Sequence, residues 1–282
     1  MITRPAFRYH GSKHLLSGWI IGHIPYAHDA YVEPFGGSAA VLLQKARSPL
    51  EIYNDLNEDV VNFFRVLREQ PEELIRAIRL TPFAKREWEL SFEETAEPLE
   101  KARRFYARAY MSIAGATTQN NPGFRRQKVL SKGINGDKKM TPAAVSFTKV
   151  DHLYQVAERM TGVQIEADDA LGLIQRYDAV ETIFYVDPPY VFETRGRWKD
   201  TAYTHEMSDA QHVELAETLQ ACQGMVILSG YACPLYADLY EATGWRRVDR
   251  QTRINGPGSA VETLWLNPAV QIRLGRGQLS LW

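Results

Sequence analysis

An aspartate, two prolines and a tyrosine stand together at Asp187-Pro188-Pro189-Tyr190, directly after the apolar run Thr182–Val186. These residue types suit one demanding task, making a nucleophile of an amine whose lone pair is delocalised into an aromatic ring. Acceptors aimed at its two hydrogens draw the nitrogen toward sp³ geometry and expose the lone pair. Asp187 supplies a carboxylate and Pro188 a carbonyl, and two fixed φ angles hold the turn rigid. Tyr190 offers a flat face on which an extruded base can stack. The plainer alternative is a strand-ending Asp-Pro turn, since both are ordinary turn residues. The apolar strand in front and the tyrosine behind favour the chemical reading.

A second group lies near the start, at Glu33-Pro34-Phe35-Gly36-Gly37-Ser38. Glycines after a first strand let a ligand approach the backbone at a helix amino terminus. No GxGxxG and no Lys-Ser/Thr pair accompany them, and Glu33 repels a pyrophosphate while suiting an ammonium. A purely structural glycine turn is the competing reading. Asp55 follows Glu33 by 22 residues, near the spacing at which an acid of a βαβ unit binds ribose hydroxyls; helix N-capping is its alternative. Asp169, with Asp168 as competitor, stands where a third strand end meets a nucleoside base, again against an N-cap. Lys13 suits a ligand carboxylate or plain solvation. The seven histidines include no HExxH spacing, so metal catalysis has no candidate and no metal site is expected.

The elements that must position these residues read as strand and helix in alternation. Tyr31–Pro34 and Glu51–Tyr53 predict strands, Ser38–Ala46 a helix between them, and Val60, Phe64 and Leu67 follow helical period. That βαβ order implies a parallel sheet with crossover helices. Pro98–Ala114 predicts a helix, and the polar Gly115–Lys139 offers few buried positions. The αβ alternation resumes with a helix over Asp151–Met160. Strands are expected at Val163–Glu166, Thr182–Val186, Met225–Ser229, Trp245–Asp249 and Val261–Leu266. Ser208 with Gln211 has capping-box spacing. The simplest architecture is a discontinuous α/β domain, residues 1–80 and 150–282, interrupted by an insert over 81–149.

The 282 residues carry 33 basic and 34 acidic side chains, a net charge of −1, which taken alone argues against a nucleic-acid binder. The distribution reverses this. Lys101 to Lys139 holds ten basic residues against one acid, Asp137, a surplus of nine that leaves −10 for the remainder. A solvated helix face accounts for Arg103, Arg104 and Arg108; phosphate contacts account for the whole window. Phe124 and Tyr110 suit stacking or wedging, with core packing the better reading of Tyr110. Two cysteines, Cys222 and Cys233, make no disulfide scaffold and read as reduced thiols of a cytoplasmic protein. Leu15 to Ile24, broken by Ser17, Gly18, Gly22 and His23, is too short and polar to span a bilayer.

Together these segments resemble the Dam-like, class alpha, DNA adenine-N6 methyltransferases over nearly the whole chain. Phe7–Lys13 (FRYHGSK) looks like the family's cofactor segment, Glu33–Ser38 like its glycine motif and Tyr53–Asp55 like its ribose acid. Asp187–Tyr190 is similar to its catalytic motif, and Leu228–Tyr231 and Glu262–Leu266 are similar to later ones. The family often has two glycines before the lysine, where this chain has Gly11-Ser12. The resemblance implies a Rossmann-like S-adenosylmethionine-dependent fold, with a mostly parallel seven-stranded sheet and an inserted, mainly helical target-recognition domain. It implies S-adenosylmethionine as donor and a flipped adenine of duplex DNA as acceptor. Tyr9, Lys13, Glu33, Phe35 and Gly37 would surround the methionine part, Asp55 the ribose and Asp169 the cofactor adenine. Asp187, Pro188, Pro189 and Tyr190 would hold the target base. Arg125, Arg126, Lys128 and Asn120 are the DNA contacts expected of the insert, amides suiting adenine and arginines guanine. A monomer is expected, and restriction-modification is the named context, with a phage or a solitary gene left open. A catalytically silent DNA-binding regulator and an RNA adenine methyltransferase are the alternatives.

Overall fold

The computed structural model describes residue 2 and residues 4–113, 123–126, 142–198, 205–253 and 259–279. Seven strands form one sheet: β1 (Ala30–Glu33), β2 (Leu50–Asn54), β3 (Gln164–Glu166), β4 (Thr182–Val186), β5 (Met225–Gly230), β6 (Arg246–Arg253) and β7 (Ser259–Leu266). Their order is β3-β2-β1-β4-β5-β7-β6, parallel throughout except that β7 runs against both β5 and β6. The chain steps from β1 outward to β2 and β3, then returns to lay β4 on the other side of β1. That reversal makes the β1/β4 crevice the switch point at which open α/β sheets bind ligands.

The central strands are apolar on both faces because helices cover them, as a parallel sheet requires. Val32, Ile52, Phe184, Val186, Val226, Leu228 and Trp265 join Leu173, Ile174, Leu215 and Leu219 from the helices in one buried cluster. Helix Asp209–Ala221 starts with the expected capping box: the Gln211 N–H donates to the Ser208 hydroxyl, and the Ser208 N–H to the Gln211 side chain.

One expected element is absent. Residues 38–46 form successive turns rather than a helix. The Leu42 N–H, which a helix would give to Ser38, donates instead to the Glu33 carboxylate at 2.8 Å. Ala39 also sits at φ 52°, outside helical space. A buried acid thus takes a backbone donor from the ladder. Helix Pro98–Met111 stops short of Ala114, and Ser112 instead bridges to Phe124.

The chain divides into two compact units, and the division differs from the one expected. The sheet unit comprises Leu15–Leu56 and the described chain from Gly162 onward; the other takes residues up to His14 and the described part of Asn57–Thr161. Residues up to His14, 57–80 and 150–161, expected with the sheet, cluster instead with the helical segment. The reason is aromatic. Phe63 of helix Glu58–Glu69 meets Phe105 and Tyr106 of helix Pro98–Met111, and Phe7 lies 5.1 Å from Phe63, 5.5 Å from Phe64 and 4.9 Å from Phe105 between ring centroids. Among the described residues no helix is long and apolar enough to cross a membrane.

Candidate active site at the carboxyl edge of the sheet

Four strand ends carry the acids that the sequence singled out. Glu33 closes β1 and is 2 % exposed. Its Oε1 accepts the Tyr31 hydroxyl at 2.6 Å as well as the Leu42 N–H. Burial pushes the Glu33 carboxyl up to about 7, and nearby Asp187 adds to the rise, against the lowering pull of those two bonds and of Lys45. Lys45 is itself buried against Glu51 at 2.6 Å and lies 4.3 Å above the Tyr31 ring. An acid that holds a proton to near neutrality releases it when a cation arrives.

The glycine turn is strapped to the end of β2. The Gly36 N–H donates to the Asn54 carbonyl at 2.7 Å, and the Tyr53 hydroxyl to the Gly37 carbonyl at 2.7 Å. A Cβ on Gly36 would lie 2.2 Å from the Tyr53 ring, so only glycine fits; Gly37 sits at φ 47°. The Gly37 N–H donates to Asp55 Oδ2 at 2.7 Å, joining two residues assigned to one ligand. Asp55 is not the N-cap of the helix that follows. Asn57 takes that role by accepting the Asp59 N–H. Phe35 packs half-buried against the sheet core.

At β3 the alternative reading describes what is present. Asp169 caps helix Ala170–Tyr177 by accepting the Gly172 N–H at 2.9 Å, and Asp168 pairs with Arg176 at 2.7 Å. Buried Asn54 fixes the turn between them and β2 by bonding both the N–H and the carbonyl of Asp168.

Asp187 follows β4, beside Glu33. Tyr190 is 5 % exposed rather than open. Tyr231 packs edge-on against it, with ring centroids 4.8 Å apart and planes at 79°. The Tyr190 hydroxyl donates to Glu262 Oε2 at 3.0 Å and lies 3.3 Å from Ser229 Oγ. Its carbonyl accepts two N–H groups of the buried Arg195 guanidinium, which also pairs with Glu206. Tyr31, Arg195, Ser229 and Glu262 are the residues to which sequence reasoning gave no role. The similarity of the Leu228–Tyr231 and Glu262–Leu266 segments to family motifs was the signal for the last two; nothing in the sequence marks Arg195.

This arrangement, acids at the switch point of a mostly parallel seven-stranded sheet followed by the proline turn, agrees with comparison to known proteins. The family model for D12 class N6 adenine-specific DNA methyltransferases matches residues 9–254. The chain belongs to that family. This D12-class enzyme is similar to the Type II methyltransferase M1.LlaDCHI of Lactococcus lactis subsp. cremoris, 25 % identical over 274 residues that cover 91 % of each chain. It is also similar to the Type II methyltransferase M.MjaIII of Methanocaldococcus jannaschii, 23 % identical over 288 residues, 92 % of this chain and 95 % of the relative. Membership makes the chain an adenine-specific DNA methyltransferase that requires a methyl donor.

The remaining site candidates of this D12-class chain lie in the helical unit or outside the described residues. Tyr9 packs edge-on against Phe7 at 5.8 Å, and buried Lys13 donates to the Gly11 carbonyl at 2.8 Å. Arg125 donates its N–H to the Met111 carbonyl, and exposed Arg126 lies 5.9 Å from the Phe124 ring. Asn120 and Lys128 lie outside the described residues. Phe124 packs with Phe83 and Trp88, and Tyr110 stacks on Tyr106 at 4.6 Å. Both therefore serve the aromatic core. The basic surplus is also smaller than counting suggested. Lys101, Arg103, Arg104 and Arg108 pair with Asp59, Glu87 and Glu100, all of which lie outside the window.

Proposed function

We propose that this chain transfers the methyl group of S-adenosylmethionine to N6 of an adenine extruded from duplex DNA, at the carboxyl edge of β1 and β4. The observation that carries the reading is placement: Glu33 ends β1 and Asp187 directly follows β4, the two parallel neighbours that flank the switch point. The residues present suit the donor. Glu33, buried among neutral donors with its proton held to about 7, matches the ammonium of an amino-acid moiety. Asp55 matches ribose hydroxyls and Asp169 the amino group of the donor's adenine. Tyr9, Lys13, Phe35 and Gly37 complete the proposed methionine site. When bound, S-adenosylmethionine supplies an electrophilic methyl group on a sulfonium.

The chain's own part is to prepare the nitrogen. Asp187 and the Pro188 carbonyl accept the two amino hydrogens, which lessens delocalisation into the ring. The Asp187 carboxylate is then the acceptor for the proton that the methylated nitrogen must lose. Pro188 and Pro189 keep these acceptors from drifting. A base that stacks on Tyr190 displaces what covers that ring, Tyr231 foremost. Asn120, Arg125, Arg126 and Lys128 serve as DNA contacts. The Type II names of the relatives support a place in restriction-modification; a monomer working in the cytoplasm completes the proposal. Labelled donor and unmethylated duplex DNA test the reading. Wild type is expected to label adenine and Asp187→Ala to fail; equal labelling by both discards the mechanism.

A further inference from the structure

Tyr185 and Tyr190 flank the turn Asp187-Pro188-Pro189, one on β4 before it and one beyond it. Their hydroxyls meet through other strands. The Tyr185 hydroxyl donates to Ser229 Oγ at 3.2 Å, and Ser229 Oγ lies 3.3 Å from the Tyr190 hydroxyl, which donates to Glu262 Oε2 at 3.0 Å. Each hydroxyl has a single proton to give. The Tyr190 proton goes to the carboxylate and the Tyr185 proton to Ser229, so Ser229 must donate to Tyr190. The directions agree along the whole series, Tyr185 to Ser229 to Tyr190 to Glu262, an order in which each bond polarises the next. All four groups are buried. Register brings them together: Ser229 lies opposite Leu264, and Gly230 opposite Thr263, on the antiparallel β5–β7 pair.

We propose that Ser229 and Glu262 are positioning residues for methyl transfer, holding the Tyr190 hydroxyl between them and so setting the plane of the Tyr190 ring. They touch neither donor nor base; they act through Tyr190. This rests on the reading that Tyr190 meets the target base.

Single-turnover methylation, donor affinity and melting temperature would be measured for Ser229→Ala, Glu262→Leu and Glu262→Gln, each alone and with Tyr190→Phe. Loss of a buried hydrogen bond to a charged group predicts that Glu262→Leu slows transfer about tenfold at unchanged donor affinity. Glu262→Gln keeps an acceptor of the same length and is expected to restore most of that rate. Because both residues act through one hydroxyl, neither Ser229→Ala nor Glu262→Leu should slow the Tyr190→Phe enzyme further. Losses that multiply in that background, or a Gln variant as slow as the Leu variant, overturn the proposal. Tyr190→Ala separates it from the reading beneath. A wild-type rate in Tyr190→Ala removes the base contact itself. A slow Tyr190→Ala with full-rate Ser229→Ala and Glu262→Leu removes only the positioning role.

Discussion

The two charged regions of this molecule meet their charges in opposite ways. Along helix Pro98–Met111, the arginines face carboxylates, Arg103 and Arg104 on Glu100 and Arg108 on Asp59. At the sheet edge the acids face neutral donors: the Tyr31 hydroxyl and Leu42 N–H on Glu33, the Gly37 N–H on Asp55 and the Gly172 N–H on Asp169. An ion pair cancels its charge, whereas a hydrogen bond from a neutral group only solvates it. The helix has therefore turned its charge into stability. On the proposed reading the sheet edge leaves its acids for a cationic ligand, and Glu33 gives up its proton as that ligand arrives.

Substitutions on the two sides should accordingly fail in different ways. The largest effect is expected at Asp187, where Asp187→Ala should lower the methylation rate about a thousandfold, as for loss of a preorganised acceptor, with melting little changed. Glu33 comes next, and it acts through pH. Its folded carboxyl stands at about 7 against an ordinary 4.5, so between those values the folded chain holds a proton that the unfolded chain has released. Stability should thus fall as pH rises through that window. Glu33→Gln should melt with a flatter pH dependence, and wild-type donor affinity should rise through the same range. An identical melting profile in wild type and Glu33→Gln would show that the buried acid holds no such proton.

On the paired side, Arg108→Ala should cost about 2 kcal/mol, the worth of a half-buried charged hydrogen bond, seen as a lower melting temperature. The salt dependence of DNA binding should stay as it was. Arg125→Ala and Arg126→Ala should do the reverse. For every phosphate no longer neutralised, the slope of log affinity against log salt drops by roughly 0.9, and an unchanged slope removes both arginines from the interface. The smallest effect is expected at Asp169. Asp169→Ala should cost about 1 kcal/mol as a lost N-cap, while Asp169→Asn keeps the cap, so a drop in donor affinity there reports ligand binding alone.

The same contrast explains what could be read before folding. The strands, the order of the motifs and the proline turn were legible because each is a local pattern, and Thr182–Val186 was placed to the residue. The charged window misled because its partners, Asp59 and Glu87, come from outside it. The helix expected at 38–46 failed for a similar reason, since Leu42 is bonded by an acid nine residues away that periodicity does not weigh. Asp55 and Asn57 stand two apart with similar capping propensity; the Asp59 N–H on Asn57 and the Gly37 N–H on Asp55 show which of them caps the helix. Arg195 had no signature because it grips a backbone carbonyl, and no side-chain motif records that.

The antiparallel course of β7 has a consequence for the order in which the protein is made. Glu262 leaves the ribosome 72 residues after the tyrosine it holds, while every acid proposed for donor and base precedes Tyr190 in the chain. A growing polypeptide folds from its amino-terminal end as it emerges. It therefore acquires the groups that bind well before the group that fixes Tyr190 in place. A chain ended before β7 would carry every acid named at the strand ends but lose, with Trp265, part of the sheet's core as well as the brace on Tyr190.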